Sequence, residues 1–117
     1  LLHDLNSLSG LAQADPPVIV LLINNHGGGI FSFLPVAQQE DVFERCFGTP
    51  HELDFRHAAK LFGLDYEAPD SLQSLSRAYK SAVARKRSAL IEVVTDRKAN
   101  VREQQHWQER LRSIFTH

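Results

Sequence analysis

Hydrophobic residues recur along this chain at two different spacings. Leu2, Leu5, Leu8 and Ala12 stand three and four apart, which predicts a helix over residues 1–13. Asp15-Pro16-Pro17 ends it, because proline disfavours helix before it and cannot continue one. From Val18 to Asn24 the chain is apolar without alternation, the pattern of a central strand covered on both faces in a parallel sheet. "IFSFLP" predicts a helical turn or lid, and residues 36–53 predict irregular or briefly helical chain. Helical spacing returns at Phe55, Ala58, Ala59 and Phe62, with Asp54 as N-cap and Gly63 as terminator. "LDYEAP" reads as a short strand closed by Pro69. Asp70 or Ser71 caps the next helix, whose buried stripe is Leu72, Leu75, Ala78 or Tyr79, and Ala82 or Val83. "ALIEVVTD" is a second strand, and "NVREQQHWQERLRSIF" a last helix with Trp107, Leu111 and Ile114 on one face. Strand alternates with helix, and the fold class expected is α/β, three layers around a parallel sheet, with residues 1–117 in a single domain.

Composition narrows the function classes. Net charge is −1, which removes any general electrostatic case for nucleic acid or an anionic membrane. The basic run Arg85-Lys86-Arg87 falls where a helix ends, and cations there favour the helix dipole. One cysteine, Cys46, excludes an intrachain disulfide or a multi-thiolate metal site, and its aromatic neighbours predict a small buried hydrophobe. The apolar run from Val18 to Ile23 is too short to span a bilayer, and no signal peptide is visible. There is no methionine and the chain begins Leu1-Leu2, which leads us to expect a fragment of a larger protein.

Most of the candidate chemistry lies in "INNHGGGIF", behind the first strand. In open α/β sheets, ligands bind beyond the carboxyl ends of strands. The glycines have neither G-x-G-x-x-G spacing nor a following Lys-Ser or Lys-Thr, so this is neither a dinucleotide fingerprint nor a P-loop. The Asn24-Asn25 amides and the glycine carbonyls are hard oxygen donors of the kind Mg²⁺ or Ca²⁺ accepts. On the residues alone two readings stand side by side: a tight turn that needs positive φ, and an anion or metal–phosphate site.

"NNHGGGIF" after an apolar strand resembles the second half of the thiamin-diphosphate motif, which opens with Gly-Asp and closes with Asn-Asn. N-N-x-G-G-x-I-F followed by Leu-Pro is similar, more narrowly, to the menaquinone-pathway carboligases of the MenD type, the 2-succinyl-5-enolpyruvyl-6-hydroxy-3-cyclohexene-1-carboxylate synthases. "LHDLNSL" resembles the helix after Gly-Asp in that family, and residues 70–97 its usual helix–strand ending. The resemblance implies a parent enzyme using thiamin diphosphate and Mg²⁺ to decarboxylate 2-oxoglutarate and add the remainder to isochorismate. It implies that Asn25 gives Mg²⁺ its side-chain oxygen and Gly27 its backbone carbonyl. Asn24 would shape the turn and Gly28 would let the backbone approach the diphosphate. Ile30, Phe31 and Leu34 would line an apolar substrate wall, ordinary core packing being the alternative for at least one of them. The remaining metal ligand, the Asp of Gly-Asp, would precede Leu1, leaving Asp4 a structural or second-layer role. The cofactor-activating glutamate, the substrate-binding arginines and the pyrimidine-binding domain would lie in missing N-terminal parts. This chain would anchor the cofactor without a catalytic residue of its own, and would be inactive alone.

The other candidates point to less. His51 and His57 have no metal-ligand spacing, while His26 could touch substrate or stand in solvent. Ser32, Ser88 and Ser113 lack a nucleophile-elbow context, and Glu40, Asp41 and Glu44 read as a solvated acidic face. A stand-alone α/β binding module, or a piece of an acetolactate-synthase-like relative, are the competing readings. The parent is expected to be a cytoplasmic homo-oligomer, and the piece to associate through uncovered apolar surface.

Overall fold

The uninterrupted apolar runs form a sheet. In this computed structural model, which describes residues 1–115, Ile19–Asn24 (β1), Asp65–Glu67 (β2) and Ala89–Val94 (β3) pair in parallel in the order β1-β3-β2. Ile19 and Asp65 both lie opposite Ala89, and Asn24 lies opposite Val94. Around the sheet pack Leu8–Ala12 (α1), Phe55–Leu61 (α3) and Leu72–Arg85 (α4). Strand periodicity divides β3 between two cores. Leu90 joins Leu8, Phe55, Ala59 and Leu64 on one face, while Ala89 and Ile91 meet Ala78 and Ala82 of α4 on the other. Residues 1–24 and 53–94 thus form one compact unit with the expected three layers.

The central strand is β3, not β1. Ala89, Leu90, Ile91 and Glu92 are buried in succession, whereas β1 is an outer strand among the described residues. Val20 and Leu22 pack toward α1 and α3, but α4 reaches only as far as Ile19 on the opposite face. Leu21 and Ile23 are therefore 50% and 61% exposed.

Polar side chains explain the first helix. Instead of one α-helix over residues 1–13, a 3₁₀ segment Leu2–Ser7 precedes α1, and Asp4 leaves helical geometry. Ser7 Oγ donates to the Asp4 carbonyl and Ser9 Oγ to the Asn6 carbonyl, local bonds that compete with the regular ladder. Leu8 is buried, Leu5 and Leu11 partly so, and Leu2 and Ala12 are exposed.

Later caps fall where the sequence puts them. Asp54 Oδ1 accepts from the Arg56 N–H at 2.9 Å, and Gly63 ends α3 at φ 73°. Ser71 caps α4 reciprocally with Ser74. The stripe α4 buries is the small one, Ala78 and Ala82 with Leu75 beside them, while Leu72, Tyr79 and Val83 are exposed. Arg85 pairs with Asp65 and Glu67, and Arg87 with Asp65, so two of the three basic residues bind β2 as well as ending the helix.

Residues 25–52 and 95–115 form the second unit. It contains 3₁₀ turns at Ile30–Phe33 and Pro35–Gln38, a helical turn Glu40–Phe43 (α2), a π turn Glu44–Gly48, and the helix Arg97–Phe115 (α5). Phe43 is buried and Phe47 partly buried, while Cys46 between them is exposed; the aromatic residues, not the thiol, take the interior. Trp107, Leu111 and Ile114 share a face of α5 as expected but are 52–65% exposed. No helix among the described residues is long and apolar enough to cross a membrane.

Two substitutions test the ends of α4. Ser71→Ala removes the cap and lowers stability by about 1 kcal/mol. Lys86 sits in the left-handed region at φ 52°. Lys86→Gly relieves that strain and raises stability by about 0.5 kcal/mol after the added freedom of the unfolded chain is subtracted. Urea titration of the folded protein reads both.

Candidate functional site

The Asn-Asn-His-Gly-Gly-Gly stretch begins inside the first unit. Asn24, the last residue of β1, is 4% exposed, and its Nδ2 donates to Glu92 Oε1 at 2.6 Å. Tyr66 of β2 donates its hydroxyl to the other oxygen, Glu92 Oε2, also at 2.6 Å. Glu92, itself 5% exposed, is thus held from both neighbouring strands. Burial, with the Glu92 carboxylate beside it, pushes the Tyr66 hydroxyl up to about 12.

From Asn25 onward the stretch belongs to the second unit. Asn25 is half-buried and folds back on its own loop, its Oδ1 accepting from the Gly27 N–H at 3.3 Å. The residue with positive φ is His26, at 55°. Its carbonyl accepts from the His51 N–H at 3.0 Å, and its Nδ1 lies 3.3 Å from the His51 carbonyl oxygen. This loop histidine is exposed, with its ring edge-on to that of His51.

The glycines are not there for positive φ, contrary to the simple-turn reading; Gly63 is the one glycine with that conformation among the described residues. They are there for close approach. A Cβ on Gly27 would stand 2.4 Å from the Gly48 carbonyl oxygen, and one on Gly28 would stand 2.5 Å from that of Phe47. Gly29 leaves room for the Asn25 amide, 2.9 Å from where its Cβ would be. The Gly28 N–H donates to the Gly48 carbonyl at 2.7 Å, and the Gly28 carbonyl accepts from Arg97 Nη1 at 3.1 Å. Both backbone groups of Gly28 are therefore committed to holding the loop. The Gly27 carbonyl has no donor among the described residues.

The three apolar candidates lie outside the core. Ile30, Phe31 and Leu34 are 77%, 42% and 49% exposed, so none of them is buried in the core of this chain. Phe31 rests edge-on against Phe47, which stacks on the buried Phe43. Elsewhere, Asp4 is exposed, as are Glu40 and Asp41, but Glu44 departs from the solvated-face reading by pairing with Arg97. No group of three His, Cys, Asp or Glu side chains among the described residues could hold a metal.

One turn thus carries two neutral, hard oxygens, Asn25 Oδ1 and the Gly27 carbonyl. These suit Mg²⁺ as part of a ligand set that anionic groups complete. The pattern reading missed Glu92, Tyr66, Gly48 and Arg97. A signal for Glu92 was present: a lone carboxylate inside "ALIEVV" has to be partnered if that strand is central.

Comparison with known proteins identifies the family. Residues 1–93 match the family model described as thiamine pyrophosphate enzyme, C-terminal TPP binding domain. The chain is 54% identical over 101 residues to a 2-succinyl-5-enolpyruvyl-6-hydroxy-3-cyclohexene-1-carboxylate synthase of Rubrobacter xylanophilus, covering 86% of this chain and 17% of that protein. A synthase of the same name from Salinibacter ruber is 52% identical over 98 residues (84% and 16%). Another, from Pelodictyon phaeoclathratiforme, is 41% identical over 116 residues (99% and 20%). The chain therefore spans about a fifth or less of the length of these relatives.

The Tyr66 shift sets a pH dependence. With its pKa raised from 10.0 to about 12, the folded state binds the hydroxyl proton more tightly than the unfolded state. Its contribution is complete below pH 10 and is lost as pH rises from there through about 12. Tyr66→Phe flattens that alkaline fall in stability, as measured by urea midpoints in steps from neutral to high pH.

Proposed function

Because this chain belongs to the thiamine pyrophosphate enzyme family, in its C-terminal TPP-binding domain, we propose that its glycine loop forms part of the Mg²⁺ and diphosphate anchor of a MenD-type carboligase. The observation that carries this reading is the oxygen pair in one turn: among the described residues, Asn25 Oδ1 is held only by a 3.3 Å bond and the Gly27 carbonyl has no donor. Asn25 and Gly27 give these two oxygens to the metal. Asn24, fixed by Glu92, sets where the loop leaves the sheet. Gly28 docks the loop on residues 47–48 rather than offering its N–H to phosphate. A carboxylate from elsewhere in the parent polypeptide and the diphosphate itself supply the negative charge that two neutral donors lack.

When bound, thiamin diphosphate supplies the electron sink for decarboxylation and carbon–carbon bond formation. This chain's task is to hold and to exclude water. Ile30, Phe31 and Leu34, exposed here, form an apolar wall beside the reacting end of the cofactor. The parent takes 2-oxoglutarate and isochorismate and forms the succinylated carboxylate for which its relatives are named, with the remaining domains drawn from the rest of the polypeptide. The apolar surface on β1 and α5 supports burial against those domains in a homo-oligomer that works in the cytoplasm.

Calorimetric titration of the full-length parent with Mg²⁺ and thiamin diphosphate tests the anchor. Asn25→Ala is expected to weaken cofactor binding about tenfold or more and to raise the Mg²⁺ requirement. Gly27→Ala is expected to do the same, by forcing the loop off Gly48. Wild-type affinity in Asn25→Ala would remove the loop from the metal site.

A further inference from the structure

We infer that Arg97, neutralised by Glu44, is the positioning residue that holds the glycine loop in its ligand-binding shape. The inference rests on the cofactor reading above, but its observations are separate. Arg97 is the first residue of α5, where a cation opposes the helix dipole. Asp96 already caps that helix, its Oδ1 accepting from the Ala99 N–H at 2.6 Å, so helix formation gains nothing from an arginine at this position. The side chain is nonetheless only 13% exposed. Its guanidinium is forked: Nη1 donates to the Gly28 carbonyl at 3.1 Å, and Nη2 donates to Glu44 Oε2.

The surrounding glycines make room for that fork. A Cβ on Gly48 would lie 2.5 Å from Arg97 Nη1 and 2.7 Å from Glu44 Oε2, so a larger residue there would push the ion pair aside. A Cβ on Gly27 would lie 3.3 Å from the same nitrogen. The guanidinium occupies Gly28 O while Gly48 O occupies the Gly28 N–H, and the Gly27 carbonyl is left for a ligand. Planar bidentate donation is what arginine offers and lysine does not. Glu44 has a second effect. An uncompensated cation beside the loop would attract a diphosphate but repel a divalent metal, and the Glu44 carboxylate cancels that repulsion.

The test uses the full-length parent. Arg97→Gln, Arg97→Lys and Glu44→Gln are titrated with Mg²⁺ and thiamin diphosphate, and the cofactor-free proteins are melted in parallel. Arg97→Gln is expected to weaken cofactor binding about tenfold and Arg97→Lys by less. Glu44→Gln, which leaves the cation unneutralised, is expected to raise the Mg²⁺ concentration needed for half-saturation. Melting temperatures of the cofactor-free variants are expected to stay within about 4 °C of wild type, a change too small to account for lost binding. Unchanged binding in all three variants, with a binding-competent wild type, overturns the positioning role and leaves the cofactor reading standing. Binding losses that follow a general fall in melting temperature overturn it as well, by making Arg97 merely structural. A wild-type parent that binds no cofactor overturns the cofactor reading itself.

Discussion

A carboxylate buried in the middle strand of a sheet costs several kcal/mol unless hydrogen bonds replace the water it loses. Glu92 meets that condition through one residue from each flanking strand, and the arrangement constrains the alignment of all three. In the observed pairing Tyr66 lies opposite Leu90 and Asn24 opposite Val94. Tyr66 is thus one same-face step behind Glu92, and Asn24 one step ahead. Long side chains reach such diagonal neighbours across a sheet. A slip of one residue in either strand would turn its partner to the opposite face and strand the charge. The bond that satisfies Glu92 therefore also decides where β1 stops, and so which peptide begins the glycine loop.

The second unit solves a similar problem with backbone rather than side chains. Its loop has few apolar groups to bury, so its shape depends on hydrogen bonds and close contact. Glycine at 27 and 28 permits backbone segments to approach within distances that a methyl group would prevent, and glycine at 48 leaves space for the Arg97–Glu44 pair. The conformational freedom that three consecutive glycines forfeit on folding is set against that contact and the charged fork of Arg97. The strained position falls on a different residue, His26, which His51 holds through its backbone.

How far the sequence revealed this depended on the range of the interaction. Features written in nearby residues were legible: the cap at Asp54, the cap at Asp70 or Ser71, the terminator Gly63 and both long strands. On α4 the spacing left Ala78 or Tyr79 and Ala82 or Val83 open and put the exposed Leu72 in the stripe. The family was legible too, since the Asn-Asn-His-Gly-Gly-Gly stretch that carries the resemblance is one short segment. Features set by distant partners were not. Glu92 and Asn24 are 68 positions apart, and Arg97 and Glu44 are 53 apart. Nothing in "VIVLLIN" shows which strand will lie in the middle, because an outer strand awaiting a neighbour has the same apolar composition. Cys46 was misread for a related reason: aromatic flanks say that something nearby is buried, not which residue faces inward.

The charge balance joins these observations into one argument about the site. On the proposed reading Asn25 and Gly27 are neutral donors, and Arg97, the cation at the loop among the described residues, is already matched by Glu44. A loop so neutral cannot hold a divalent ion by electrostatic attraction alone; it can only fix the direction of two oxygens. Its contribution is preorganisation, which is why its own bonds matter more than its charge. Every contact that stiffens it, from Asn24 on Glu92 to Gly28 between Gly48 and Arg97, spares the ligand the entropy of ordering the loop. On the proposed reading, attraction would then come from a carboxylate and a diphosphate that complete the set. A chain of this kind can therefore be folded and shaped at its loop and still depend on the rest of its polypeptide for affinity.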